Sequence, residues 1–248
     1  MSPSQSYHPR RYRLDPMRAR RSYNANSLLE GEPKQMRRIL TLLCTVLLAA
    51  GVGTARAQQP GSSPAGTAEV EIGGKWEAKT GPNGRTNQVY TGGKWISISY
   101  GRPLKRGREL FGTGDAYATK LNAGAPVWRA GANVATTLKT QAPLVIGGKT
   151  LAPGEYLLFI DLKPGNWTLI VSSLKAQQTY DPNNKTETWG AYGYDQAKDV
   201  VRVPMTVGDI PFSLEQLTWG FSDVTDKGGT INIWWDKTTA SVPFTLGS

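Results

Sequence analysis

The residue types best suited to recognise a ligand cluster between Lys94 and Leu138. Arginine supplies a planar fork of donors that matches carboxylate and phosphate groups, tryptophan offers a stacking face, and glycine lets a ligand approach the backbone. The stretch predicts a pocket for an anionic or polar ligand, formed by Arg102, Arg108, Trp128, Arg129 and Asn133. The alternative is structural: the arginines pair with internal carboxylates, and Asn133 bonds to loop backbone.

Glu215 is the most informative acidic residue. Alternation in the segment 215–221 puts it on the same face as Leu217, Trp219 and Phe221. A carboxylate on an apolar, inward face needs a partner, because an unpaired buried charge is costly. We therefore predict that Glu215 is buried in a structural ion pair with Arg129. A general acid with a raised pKa is the alternative interpretation.

Other chemical motifs are weak. Four acids could in principle supply the carboxylate pair of a glycoside hydrolase, but no spacing selects two of them: Glu109, Asp115, Glu155 and Asp161. The segment 181–184 is similar to a calcium loop, yet Lys185 stands where such a loop needs an oxygen ligand. Exposed aromatic stacking for a sugar is a further hypothesis, for which the candidates are Trp76, Trp95 and Trp189.

The elements that must position these residues are short strands. Ile96, Ile98 and Tyr100 alternate with polar neighbours, and Pro103, which lacks an N–H group, ends that strand before Lys105 and Arg106. Comparable segments recur along the chain between Gly, Pro and Asn turns, including hairpins around 81–84, 147–148 and 163–166. The pattern predicts one all-β domain over residues 69–248, an antiparallel β-sandwich, with a closed barrel as the alternative.

Several of these segments also carry a family resemblance. The strings 98–103, 107–112 and 128–136 resemble the bacterial family filed as domain of unknown function 2911. Pieces at 153–156, 199–203 and 215–219 are similar to it as well, so the resemblance covers about Trp95 to Phe244. It implies an exported bacterial protein and supplies no established activity.

Cysteine and histidine usage excludes several function classes. Cys44 and His8 are the only residues of their types, and both precede residue 58. The chain from Gln58 onward therefore has no Ser-His-Asp or Cys-His catalysis, no histidine or cysteine zinc site and no disulfide. We predict no catalytic residue, no metal site and no cofactor.

The net charge of +10 invites a nucleic-acid function, but most of the excess lies at the front of the chain. Residues 1–57 contain ten Arg or Lys and three Asp or Glu, a net charge of 10 − 3 = +7. The other residues therefore carry only +3, which is the remainder of the +10. A mildly basic domain is common, so a nucleic-acid partner is rejected.

Residues 36–57 have the pattern of a signal peptide. Arg37 and Arg38 precede the apolar run 39–52, and Ala55 and Ala57 frame a small-residue cleavage site. The run is too short to span a membrane comfortably. We expect cleavage after Ala57, a flexible linker over 58–68, and either an over-extended start or a disordered leader over 1–35. Translation from Met36 and twin-arginine export both remain open.

We predict an exported, non-enzymatic binding or structural module of the bacterial envelope, periplasmic or extracellular. Its partner would be a small polar, anionic or saccharide ligand, or another envelope protein, and the mature chain would have no membrane span. The alternative is a carboxylate-based hydrolase of cell-wall or extracellular polysaccharide, which would need two acids in one cleft.

Overall fold

The computed structural model describes residues 63–247, and almost every regular element in that range is a β-strand. The predicted leader, the signal peptide and the cleavage site after Ala57 lie outside the described residues. The predicted linker, 58–68, extends too far, because Ala65 already belongs to the first strand. All described residues belong to one unit, Gln59–Ser248.

The first eight strands are separated by short turns, except for the long connection that follows β4. They are Ala65–Ile72 (β1), Lys75–Thr80 (β2), Thr86–Thr91 (β3), Lys94–Gly101 (β4), Thr136–Thr140 (β5), Leu144–Ile146 (β6), Lys149–Leu151 (β7) and Gly154–Asp161 (β8). The remaining four are Thr168–Ser172 (β9), Asp199–Pro204 (β10), Thr206–Thr225 (β11) and Gly228–Leu246 (β12). Within residues 63–247, helical structure is limited to one turn, Thr119–Asn122 (α1), and to 3-10 turns at Gly114–Ala116 and Gln196–Lys198.

The strands form two main antiparallel sheets and one projecting hairpin. The larger sheet has the order β1-β4-β5-β8-β9-β10, and the smaller has the order β11-β12-β6-β7. Strands β2 and β3 pair only with each other. Within the described residues no sheet closes on itself, so the predicted all-β sandwich is confirmed. No helix in the described range is both long and apolar enough to cross a membrane.

The main core lies between the two sheets. Ile96, Ile98 and Tyr100 face it from β4, in the alternation that the sequence predicted. Trp219 and Trp235 face it from the smaller sheet. Each large apolar side chain removed from water in this way stabilises the fold by about 1.5–3 kcal/mol.

A second apolar cluster lies on the outer face of the larger sheet. Leu157, Phe159 and Ile170 point away from the main core, yet they are almost completely buried. The segment 173–198, called the covering loop below, packs over them and contributes Ala176 and Ala191. Strand β8 is therefore buried on both faces, which explains its continuous apolar run.

One network of charges fastens the larger sheet to the covering loop. Arg202 of β10 bonds to Asp161 of β8 at 3.0 Å and to Asp199 at 2.9 Å. The hydroxyl of Tyr194 donates to Asp199 Oδ2 at 2.6 Å. Burial, together with this bond to a carboxylate, raises the pKa of Tyr194. The network joins three parts of the chain at one corner of the sandwich.

Candidate functional site

The basic part of the central stretch is held against the smaller sheet. Strand β4 ends at Gly101, and the chain then runs alongside β11. Leu217 N–H donates to Pro103 O at 3.0 Å, and Lys105 N–H donates to Glu215 O at 2.7 Å. These backbone bonds fix the cations that follow Pro103 beside the end of the sandwich.

Glu215 contributes to this attachment, but not as predicted. Its side chain is exposed, and its Oε1 accepts from the backbone N–H of Arg106 at 2.5 Å. Within the described residues it forms no ion pair with Arg129. The pairing of β11 with β12 shifts register between Leu214 and Thr218, and such a bulge breaks the alternation that the prediction assumed. The predicted buried pair is therefore wrong.

A pocket of about 490 Å³ opens at this end of the sandwich. Its lining contains the side chains of four basic residues and of no aspartate or glutamate. The four are Arg106 and Arg108 of the loop after β4, Lys120 of α1, and Arg129. We call this the basic pocket. A volume of this size lies within the range of about 300–1,000 Å³ that is usual for small-ligand sites.

The floor of the basic pocket is aromatic and rigid. Trp128 is only 2% exposed, and its ring stacks on that of Trp235 with centroids 6.0 Å apart and planes 10° apart. Trp167 meets Trp128 edge-on from the core side. Trp128 therefore supports the pocket and presents little of its face to a ligand.

Arg129 is the most buried of the four cations. Its Nη1 donates to Asn133 O at 3.1 Å, and its guanidinium carbon lies 5.9 Å from the ring centroid of Tyr192. Gly190 has a left-handed φ of 62°, which favours glycine, and a Cβ there would come within 2.5 Å of Arg129 Nη1 and displace the guanidinium. No carboxylate pairs with Arg129 in the described part of the chain, and burial lowers the pKa of Arg129.

The two arginines of the loop after β4 differ in their side-chain bonds. Arg108 Nε donates to Lys105 O at 2.9 Å, and its Nη2 donates to Leu104 O, so part of its guanidinium shapes the loop. The side chain of Arg106 is exposed and makes no hydrogen bond to any other described residue. Lys105 faces away and pairs with Asp236 at 2.7 Å. The loop thus presents Arg106 and Arg108 to the pocket and neutralises Lys105.

The backbone around the basic pocket is strained. Left-handed φ angles occur at Arg106 (50°), Ala123 (50°), Ala130 (49°) and Asn133 (62°). This conformation costs a residue such as alanine or arginine roughly 1–2 kcal/mol, whereas asparagine adopts it more readily. Strain of this kind persists only where surrounding contacts enforce it, and it clusters at functional sites. Trp219 Nε1 and Thr136 Oγ1 both donate to Ala130 O, at 2.9 and 3.1 Å, and hold that residue in place.

The structure brings four of the five predicted binding residues together and leaves one out. Arg108, Trp128, Arg129 and Asn133 all line the basic pocket. Arg102 does not. Its side chain lies across Gly66 of β1, where a Cβ would meet Arg102 Cδ at 2.2 Å.

Sequence reasoning also missed contributors to this site. Lys120 and Trp235 line the basic pocket, and Tyr192 stacks on Arg129. They come from three distant parts of the chain. No local motif marks them, so only the folded arrangement could have identified them.

Two of the acids proposed for hydrolysis, Glu155 and Asp161, do not share a site. Glu155 and Asp161 stand at opposite ends of β8, a separation of roughly 20 Å at about 3.3 Å per residue. The carboxylates of a glycosidase need to lie within about 10 Å of each other. Glu155 pairs with Lys139, and Asp161 pairs with Arg202 and Lys163. Within the described residues, no three His, Cys, Asp or Glu side chains form a group that could hold a metal ion.

The three tryptophans proposed as a stacking platform are also apart. Trp76 is 68% exposed and meets Tyr90 edge-on in the β2–β3 hairpin. Trp189 lies in the covering loop against Tyr180, with centroids 5.7 Å apart. Trp95 is exposed on β4. They form no single platform.

The family comparison covers the whole site except Ser63. The family model described as "Protein of unknown function (DUF2911)" matches residues 82–244. The chain is a member of DUF2911. The matched range extends from the turn between β2 and β3 to two residues before the end of β12, so the DUF2911 region includes all four cations of the basic pocket and both floor tryptophans. Comparisons with curated proteins and with solved structures find no match.

Proposed function

We propose that this DUF2911 domain is an exported, non-enzymatic binding module of the bacterial envelope that takes a small anionic ligand in the basic pocket. The observation that carries the proposal is the charge of the lining, which contains four cations and no carboxylate. Within the described residues Arg129 is half-buried without a carboxylate partner, so an anionic ligand would supply the missing charge.

The strained backbone supports the same function. Holding several left-handed residues around one pocket lowers stability, and such strain is retained where it presets the geometry of a site. The floor of stacked tryptophans gives that geometry a rigid base. A preset site loses less entropy when it binds its ligand, and affinity increases accordingly.

Export is the part of the proposal that depends on sequence alone. The apolar run 39–52 and the small residues Ala55 and Ala57 support it. Expression in a bacterial host followed by intact-mass measurement of the secreted fraction tests it. A mature N-terminus at Gln58 is expected, and an exported species that still carries the run 39–52 would contradict it.

Inorganic phosphate is the probe for binding, and its binding is measured by calorimetry and by tryptophan fluorescence. Arg106→Gln removes an exposed charge that makes no side-chain bond, so it should leave the fold intact. It should weaken phosphate binding by about tenfold, which corresponds to about 1.4 kcal/mol. Arg129→Lys retains the charge but loses the planar fork, and it should weaken binding as well.

The matched control is Arg85→Gln. Arg85 is an exposed arginine in the turn between β2 and β3, and its loss should leave phosphate binding unchanged. If Arg85→Gln and Arg106→Gln weaken binding equally, the effect is one of net charge and the pocket proposal fails. Saturable hydrolysis of a polysaccharide that is lost in a folded Asp or Glu variant would instead establish the hydrolase.

A further inference from the structure

A second pocket of about 330 Å³ adjoins the basic pocket. The two share three lining residues: Ser63, Ala132 and Asn133. The second pocket lies where the ends of β1, β4 and β5 meet. Gln178 of the covering loop also lines it. A ligand that passes Asn133 could therefore occupy both pockets at once.

The chemistry of the second pocket differs from that of the first. Its lining includes no charged residue. Five hydroxyl or amide side chains in it make no hydrogen bond to any other described residue, and these are Ser63, Thr67, Ser99, Asn133 and Gln178. Hydroxyl and amide groups both donate and accept, so they match a group that also does both, such as the hydroxyls of a sugar ring.

The junction between the pockets is fixed in position. Asn133 has a left-handed φ of 62°, and its carbonyl oxygen accepts from Arg129. A Cβ on Gly101 would come within 2.1 Å of Ala132 O, so the segment after Arg129 packs directly on the end of β4. The basic and the uncharged pockets therefore keep a constant separation.

We propose that the ligand is an anionic carbohydrate, with its acidic group in the basic pocket and its sugar ring in the second pocket. This inference rests on the proposed function and specifies its ligand. A neutral sugar would leave the four cations without a counter-charge, and a bare anion would leave the hydroxyl and amide groups to water. The acidic group is a carboxylate, as in a uronic acid, or a phosphate, as in a sugar phosphate.

The first test compares each acidic sugar with its bare anion by calorimetry on the folded domain. The probes are glucose 1-phosphate against inorganic phosphate, glucuronate against acetate, and glucose alone. At least one acidic sugar should bind about tenfold more tightly than its bare anion. The pair that shows the difference identifies the acidic group. Glucose alone should bind more weakly than that acidic sugar.

The second test blocks the sugar pocket. Ser99 and Thr67 are partners in the β1–β4 register, and Ser99→Trp or Thr67→Trp would fill the space that they line. In either variant the acidic sugar should bind no more than about threefold more tightly than the bare anion. The matched control is Ser97→Trp, on the same face of β4 but outside both pockets, and it should keep the wild-type ratio of the two affinities. Circular dichroism establishes that each variant is folded.

The outcomes separate this inference from the proposed function. If phosphate binds but neither acidic sugar exceeds its bare anion, the basic pocket stands and the carbohydrate inference is overturned. It is also overturned if glucose alone binds as tightly as the acidic sugars, or if the ratio survives both folded blocking variants. If neither phosphate nor any other probe binds, the proposed function itself fails.

Discussion

Two arginines of this domain, the exposed Arg202 and the half-buried Arg129, lie in opposite environments. Arg202 contacts two carboxylates, at 2.9 and 3.0 Å, and the hydroxyl of Tyr194. Arg129 contacts a backbone carbonyl oxygen and the face of Tyr192, with no carboxylate among the described residues. Burial opposes the charge of both residues. The pKa of Arg202 is nevertheless raised by Asp199 and its neighbours, whereas that of Arg129 is lowered.

The difference separates a structural arginine from a binding arginine. The charge of Arg202 is compensated inside the protein, so removing Arg202 should reduce stability. The charge of Arg129 is not compensated there, so removing Arg129 should reduce binding. Two residues of the same type should thus affect different measurements when they are replaced.

The largest effect is expected for Arg202→Ala. The side chain of Asp199 is only 5% exposed, and removing its partner leaves that charge buried. The free energy of unfolding should fall by about 1.5–3 kcal/mol, because a nearly buried carboxylate loses a charge-assisted hydrogen bond. Urea denaturation measures it, with Arg85→Ala as the control. A loss no larger than that of the control would mean that the corner network contributes nothing.

The second prediction concerns Arg129, for which we expect a loss of phosphate affinity and little change in stability. Arg129→Met keeps most of the apolar volume and removes a charge that burial penalises. Its unfolding free energy should stay within about 1 kcal/mol of wild type, since only one hydrogen bond and one cation–π contact are lost. Phosphate affinity should fall by at least about tenfold. Parallel denaturation and calorimetry check the pair of results. A large stability loss with unchanged affinity would make Arg129 structural.

A finer comparison lies within the basic loop itself. Lys105 is paired with Asp236, whereas Arg106 has no side-chain bond to any described residue. Lys105→Gln should therefore change phosphate affinity by less than about twofold, and it should cost at most about 1 kcal/mol for a partly exposed pair. If Lys105→Gln and Arg106→Gln reduced phosphate affinity equally, the ion pair of Lys105 with Asp236 would not explain which cation binds phosphate.

The smallest effect concerns acid stability. The bonds from Lys105 and Ser213 lower the pKa of Asp236 below its ordinary value of 3.8. A carboxyl group of this kind contributes stability above its unfolded pKa, and the contribution is lost as the pH falls through the folded value. Urea midpoints at pH 7 and pH 3 should differ less in Asp236→Asn than in wild type. An identical pH difference in the two proteins would contradict this.

The fold was predictable because its signals are local. Ile96, Ile98 and Tyr100 reveal an inward face by alternation alone, and the pair Gly147-Gly148 predicts the hairpin that joins β6 to β7. The long strands β11 and β12 are less regular. Bulges shift their register and reset the alternation, and this is why Glu215 was assigned to the wrong face.

The site was predictable only in Arg108, Trp128, Arg129 and Asn133. Arg108 and Arg129 stand out by residue type, but nothing local shows that α1 brings Lys120 to the same pocket. Arg102 is also an arginine of the central stretch. Its side chain nevertheless packs across Gly66 of β1 and therefore lies outside the pocket lining. The second apolar cluster was missed because a polar covering loop gives no sign that it buries Phe159 and Ile170.

The covering loop also bears on how fast a ligand can enter. Tyr192 and Gly190 of this loop form the wall behind Arg129, and the same loop buries Leu157, Phe159 and Ile170 on the sheet beneath it. Lifting the wall would expose those side chains to water, at a cost of about 1.5–3 kcal/mol for each. The wall therefore cannot act as a lid. Association should be a single, concentration-dependent step, accelerated by the positive charge at the mouth and slowed by salt.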